Sequence, residues 1–215
     1  MSPHGREGED QGFTAASPAM ATRRMRRPER REQILTAATR AFSRTGFAST
    51  SLDDIAGEAG ISRVILYRHF ESKNDLYRAA LDRAYARLTM AVGPDEFTDE
   101  SVPELLHAAA NDPDGFRLLF RYAVREPEFR EQMERFGATS VAVTHRYLAE
   151  LINEPAWARW AAQLLPTVAI EAVLAWLDAG QPDPDTAADR VLHAITGVIQ
   201  AVQPTESERK GETLP

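Results

Sequence analysis

Cysteine is absent from the 215 residues, which excludes disulfides and thiolate chemistry and fits a reducing compartment among others. No apolar run reaches the expected length of a membrane span, because the most hydrophobic one, from Leu164 to Leu177, holds Pro166, Thr167 and Glu171. The first twenty residues lack the apolar core of an export signal. Catalytic signatures are missing as well. No GxGxxG, GxxxxGK[ST] or HExxH occurs, and the histidines at positions 4, 69, 107, 145 and 193 are too scattered for a metal cluster. Strand-like alternation and internal repeats are also lacking. These absences predict a soluble, cytoplasmic, all-α protein that is not an enzyme and uses no cofactor or metal.

Charge is plentiful but unevenly spread. The net charge of -7 looks wrong for a partner of nucleic acid until it is divided along the chain. Residues 21–73 hold 11 Lys/Arg against 6 Asp/Glu, a local +5, whereas residues 74–215 hold 13 against 23, a local -10. Attraction to a polyanion is screened beyond about 8 Å at physiological salt, so the basic segment, not the net charge, would govern any contact with phosphates.

Within that segment, residues 51–73 read as two short helices over a tight turn. Ser51 is placed to cap the first, with Asp54 closing a capping box, and Leu52, Ile55, Ala56 and Ala59 form its inward face. Gly60 ends this helix, since glycine tolerates the left-handed turn, and Ser62 is placed to cap the next. In the second helix Leu66 and Phe70 face inward with Ile61 behind them, while Arg63, Val64, Tyr67 and Arg68 project outward. Such a pair is a helix-turn-helix, whose second helix enters the major groove.

Around it the chain divides into four parts. Residues 1–27 are a disordered tail ending in a basic arm, with six arginines between Arg23 and Arg31 that either contact DNA or form a solvated tail. Residues 28–73 form the head, where a support helix over 29–45 buries Ile34, Leu35, Ala38, Ala41 and Phe42 and ends at Gly46, letting Phe47 pack back. Three helices this short cannot bury much alone, so the head needs the body beneath it. The body, residues 74–202, opens with a connecting helix capped by Ser72. Helices over 103–110, 113–124, 126–152 (one, or two divided near Gly137), 156–179 and 185–202 follow, and residues 203–215 are a polar tail.

The segment from Arg31 to Leu76, and above all TSLDDIAGEAGISRVILYRHFESKNDLY, resembles the DNA-binding head of the TetR family of bacterial transcriptional regulators. Carrying the resemblance are Gly46-Phe47 before a Ser/Thr cap, Ile55-Ala56, Ala59-Gly60, Leu66-Tyr67, His69-Phe70, and Lys73 at the start of the connecting helix. It covers about a fifth of the chain. It implies a homodimer joined by the last two long helices, with the middle helices enclosing an effector pocket. It also implies that Arg63, Val64, Tyr67 and Arg68 face bases or the adjacent backbone, and that His69, Lys73 and Thr50 or Ser51 meet phosphates. Arg63 suits a bidentate contact to guanine. Ile65 departs from the family pattern, which usually has a small or hydroxylated residue there.

In the body, Phe116, Phe120, Met133, Phe136, His145, Trp160 and Thr167 either line an apolar cavity with polar anchors or are ordinary helical core. Glu171, in the run VAIEAVLAW, either binds a cationic effector, pairs with an arginine or sits at a wet edge. Pro166 is expected to kink its helix. Two functions follow. The first is a transcriptional regulator, a repressor released from double-stranded operator DNA by a small-molecule effector. The second is a ligand-independent DNA-organising or partner-binding protein, which a fully packed body would favour.

Overall fold

The computed structural model describes residues 25–93, 98 and 100–201, which contain α-helices, one π turn, 3-10 turns and no strand. The expected tails at residues 1–20 and 203–215, and Arg23 and Arg24 of the arm, lie outside the described residues.

Helix α1, Arg27–Ser49, has Pro28 in its first turn and starts at Arg26, whose N–H and Nε donate to Glu29 at 3.0 and 2.7 Å. Its expected inward face is buried throughout. Gly46 breaks the helix at φ 78°, ψ 177°, a conformation close to glycine-only, and Phe47 then turns back onto Phe42, with ring centroids 6.3 Å apart. Next come α2, Leu52–Glu58, and α3, Arg63–Tyr67, joined through Gly60 at φ 62°. Leu52, Ile55, Ala56, Ala59, Leu66 and Phe70 are all buried, as their spacing predicts. Ser62 occupies the N-cap of α3, but its side chain makes no capping hydrogen bond.

Helix α4, Lys73–Val92, starts where the Ser72 side chain accepts the Asp75 N–H at 3.0 Å. It lies along α1, and Arg83 reaches across to Glu32 and to the Thr36 hydroxyl, each at 2.8 Å. Helix α5, Ser101–Asn111, and α6, Pro113–Arg117, follow. The helix expected over 113–124 does not stay regular. After α6 the chain forms a π turn, Leu118–Tyr122, in which the Ala123 N–H donates to the Leu118 carbonyl five residues back, and a 3-10 turn, Ala123–Arg125. The long helix expected from residue 126 starts later. Glu126 precedes a proline and is extended, Pro127–Phe129 forms a 3-10 turn, and α7 runs Arg130–Leu151 without a break at Gly137.

Helices α8, Pro155–Asp178, and α9, Pro184–Ala201, complete the body. Between them Gly180, Gln181 and Asp183 all have positive φ. Helix α8 passes Pro166 unbroken, so the sequence run is longer than its interruptions suggested. With 24 residues and an 18-residue stretch of mean hydropathy 1.4 it reaches, by length and composition alone, what a membrane crossing needs. Part of that apolarity is used in packing, since Ala158, Ala161, Ala162, Leu165, Ala169, Val173, Leu174 and Leu177 are buried against the rest of the body.

Two apolar cores result. The first joins Ile34, Phe42, Ile55, Leu66 and Phe70 of the head to Leu76, Tyr77 and Leu81 of α4, and to Leu118, Leu119 and Phe129 beyond. The head therefore shares its core with the body, as a unit of its size requires. The second core lies between α5, α7, α8 and α9.

Candidate nucleic-acid interface and effector cavity

On the head, Ser51 and Asp54 form the capping box at the start of α2: the Ser51 oxygen accepts the Asp54 N–H at 3.0 Å, and the Asp54 carboxylate accepts the Ser51 N–H at 2.9 Å. The serine hydroxyl also donates to that carboxylate at 2.6 Å, which holds the acid below the usual carboxylate range. Ser51 is exposed. Thr50 is not. Only 3 % exposed, it turns its hydroxyl inward to the Gly46 carbonyl at 2.7 Å and to Thr45, because the chain leaving α1 needs that carbonyl satisfied. The exposed Ser51, rather than the Thr50 side chain, is the hydroxyl at this helix start that solvent reaches.

Arg63, Val64, Tyr67 and Arg68 all lie on the exposed face of α3, with Val64 63 % and Tyr67 46 % exposed. The side chain of Arg63 already has partners. It donates to Asp53 at 3.0 Å and to the Tyr67 hydroxyl at 3.2 Å, and its carbon lies 5.5 Å above the Tyr67 ring. Those partners raise its proton affinity, the Tyr67 hydrogen bond first and Asp53 second. Sequence reading missed Asp53, although its place one residue before the capping acid and near the start of α3 was a signal. His69 is half-buried, and burial, then Arg27, Arg30 and Arg31, push its pKa down. Lys73 donates to the Ala48 carbonyl at 3.3 Å and lies 4.5 Å above the Phe47 ring, so it is anchored at the same edge. Ile65 is half-buried.

In the body, a cavity of about 240 Å³ opens between α4, α5, the π turn, α7, α8 and α9. Phe120, Met133 and Phe136 line it, as proposed from the sequence. Phe116, His145, Trp160, Thr167 and Glu171 do not. Phe116 is buried behind Phe120, ring centroids 4.7 Å apart, and faces a second hollow of about 180 Å³. Trp160 is 45 % exposed against Trp157, and Thr167 and Glu171 lie on the outer side of α8, where the carboxylate stays in water. His145 is half-buried on α7, one residue beyond Thr144, which does line the cavity. Pro166 forms part of the wall. Leu88 lines it too, and so do Tyr85, Thr89 and Val92 of α4, which recur at helical spacing but were not singled out from the sequence. Tyr85 stacks on Phe136 at 3.9 Å, with ring planes 4° apart.

The π turn touches both regions. Phe120 reaches the cavity, and the Tyr122 hydroxyl donates to the Arg44 carbonyl of the head at 2.9 Å beside Gly46. Arg117 and Arg121 of the same stretch hold Asp178 at the end of α8, at 3.4 and 3.1 Å. Among the described residues, no group of three or more His, Asp or Glu could hold a metal.

Comparison with known proteins agrees with the geometry. The family description "Bacterial regulatory proteins, tetR family" matches residues 34–80. The "HTH-type transcriptional activator FasR" of Mycolicibacterium smegmatis is 31% identical over 195 residues, covering 86% of this chain and 89% of that protein. The "HTH-type transcriptional regulator TtgR" of Pseudomonas putida is 41% identical over 75 residues, 35% of this chain and 36% of its own. A solved TetR-like transcriptional regulator from Rhodococcus sp. RHA1 superposes with a TM-score of 0.69 at 25% identity, covering 78% of this chain and 94% of its own. An exposed α3 on a basic head, a helical body and a relative matched along most of its length lead to one conclusion: the chain belongs to the TetR family of bacterial regulatory proteins, DNA-binding transcriptional regulators rather than enzymes.

Proposed function

We propose that the protein acts in the cytoplasm as a homodimeric repressor, released from its operator when a small molecule fills the body cavity. The observation that carries this reading is the continuity between cavity and head. Helix α4 lends Tyr85, Leu88, Thr89 and Val92 to the cavity wall and Leu76, Tyr77 and Leu81 to the core beneath the head. A ligand that reshapes the wall therefore moves the helix on which the head rests, provided it binds the two arrangements unequally. The open cavity weighs against a ligand-independent architectural protein.

Dimerisation through α8 and α9 is supported by the apolar side chains Leu164, Val168, Ala172, Leu192 and Ile199, which remain only half-buried in one chain. Two α3 helices about 34 Å apart would then enter successive major grooves of a near-palindromic site. Arg63 would read a base, with Tyr67, Arg68 and Val64 beside it, and Ser51, His69 and Lys73 would hold phosphates.

The reading is tested by selecting a preferred duplex from random DNA and measuring variants on it and on scrambled duplex. Arg63→Ala is expected to weaken the selected site roughly tenfold to a hundredfold with little change on scrambled DNA, while Lys73→Ala weakens both alike. Equal losses for both variants on both duplexes would contradict the assignment. A second reading, an activator, is favoured by the name of FasR, the relative matched along most of its length. A reporter driven by the selected site separates them: a repressor lowers its output, an activator raises it.

A further inference from the structure

We infer that the body cavity takes an uncharged, largely apolar molecule of about ten non-hydrogen atoms and rejects ions of the same shape; this rests on the reading of the cavity as the effector site. Size comes from the volume. An apolar protein cavity of about 150 Å³ holds benzene, so about 240 Å³ suits roughly ten heavy atoms. Charge selectivity comes from the wall. Among the described residues that line it, none is Asp, Glu, Lys, Arg, His, Asn or Gln.

Its polar side chains, among the described residues, are six hydroxyls, and three of them already donate to backbone carbonyls. Thr144 donates to the Ser140 carbonyl at 2.8 Å, Thr89 to the Tyr85 carbonyl at 3.0 Å, and Tyr85 to the Phe136 carbonyl at 3.4 Å. The Ser101 oxygen accepts the Thr98 N–H at 2.9 Å. A carboxylate or phosphate meets no cation among the described lining residues, only the neutral hydroxyls of Ser101, Thr139 and Ser140, which do not replace the water an ion gives up, and an ammonium meets no counter-charge there. An alcohol or phenol is different: its single proton can go to the unused lone pairs of Thr89 or Thr144 while its body meets Leu88, Phe120, Leu165 and Ile170.

The test uses octan-1-ol, octanoate and octylammonium, three probes of one chain length, titrated calorimetrically into the full protein without DNA at pH 7.5. Octan-1-ol is expected to bind at least about tenfold more tightly than either ion. Gly137 lines the cavity, and a Cβ there meets nothing within 4 Å, so Gly137→Leu can attach a side chain at the wall and should abolish octan-1-ol binding. Three results would overturn the inference: no binding of octan-1-ol, ions that bind as tightly, or undiminished binding to Gly137→Leu. Binding of the alcohol that leaves DNA affinity untouched would instead retain the ligand class and refute the effector reading.

Discussion

Arg63 has partners before any DNA arrives. Asp53 and the Tyr67 hydroxyl occupy two of its donors, so a random phosphate must displace a carboxylate to recruit it. A guanine edge offers two aligned acceptors instead, which compensates the loss better. Asp53→Asn should therefore raise affinity for scrambled duplex, steepen its salt dependence by about one phosphate contact and lower selectivity, as read by fluorescence anisotropy over a salt series. His69 supplies a pH dependence. Burial, then Arg27, Arg30 and Arg31, depress its pKa, so the free head favours the neutral ring. The sign follows: folding is unaffected by this group above its unfolded pKa, and stability declines as pH falls towards the lower folded value. A phosphate beside the ring would favour the imidazolium, so DNA binding should take up a proton and tighten as pH drops from about 7.5 to 6. His69→Gln should flatten that slope. The exposed and buried faces of α2 and α3 were legible in the sequence, because three to four residues separate neighbours on a helix face. The inward hydroxyl of Thr50 was not, because it answers to a carbonyl freed by the Gly46 break.

The π turn at Leu118–Tyr122 is where head, cavity and α8 meet. Its extra residue lets Phe120 face the cavity while Tyr122 reaches Arg44 and Arg117 and Arg121 reach Asp178. Gly46 sits so close that a Cβ there would come within 3.2 Å of the Tyr122 ring, so the two elements move together or strain. Tyr122→Phe removes the hydrogen bond to Arg44 and keeps the ring. Thermal unfolding should show a small loss, under about 1 kcal/mol, while the response of DNA affinity to octan-1-ol shrinks. An unchanged response would assign the coupling to α4 alone. Helical periodicity marked this stretch as apolar helix, but the choice between α and π hydrogen bonding depends on partners 57 to 78 residues away in sequence. The 3-10 turn at Pro127 was more accessible, since a proline restricts the residue before it.

Taken whole, the molecule separates its charge and joins its packing. The basic head and acidic body keep DNA contact to one end, while one apolar core runs from α1 through α4 to the π turn. That architecture was readable from composition and from the dense pattern between Arg31 and Leu76. The cavity was only partly so. Phe120, Met133 and Phe136 were within reach of sequence reading, whereas Trp160, Thr167 and Glu171 lie on the outer side of α8, because that helix turns only part of its surface to the body core. The most direct test of the account is the affinity of the full protein for its selected duplex, measured by anisotropy with and without saturating octan-1-ol. Release through the cavity predicts an affinity about tenfold or more weaker with the alcohol bound, within the range of ordinary coupling. The same affinity with and without alcohol that calorimetry shows to be bound would contradict it.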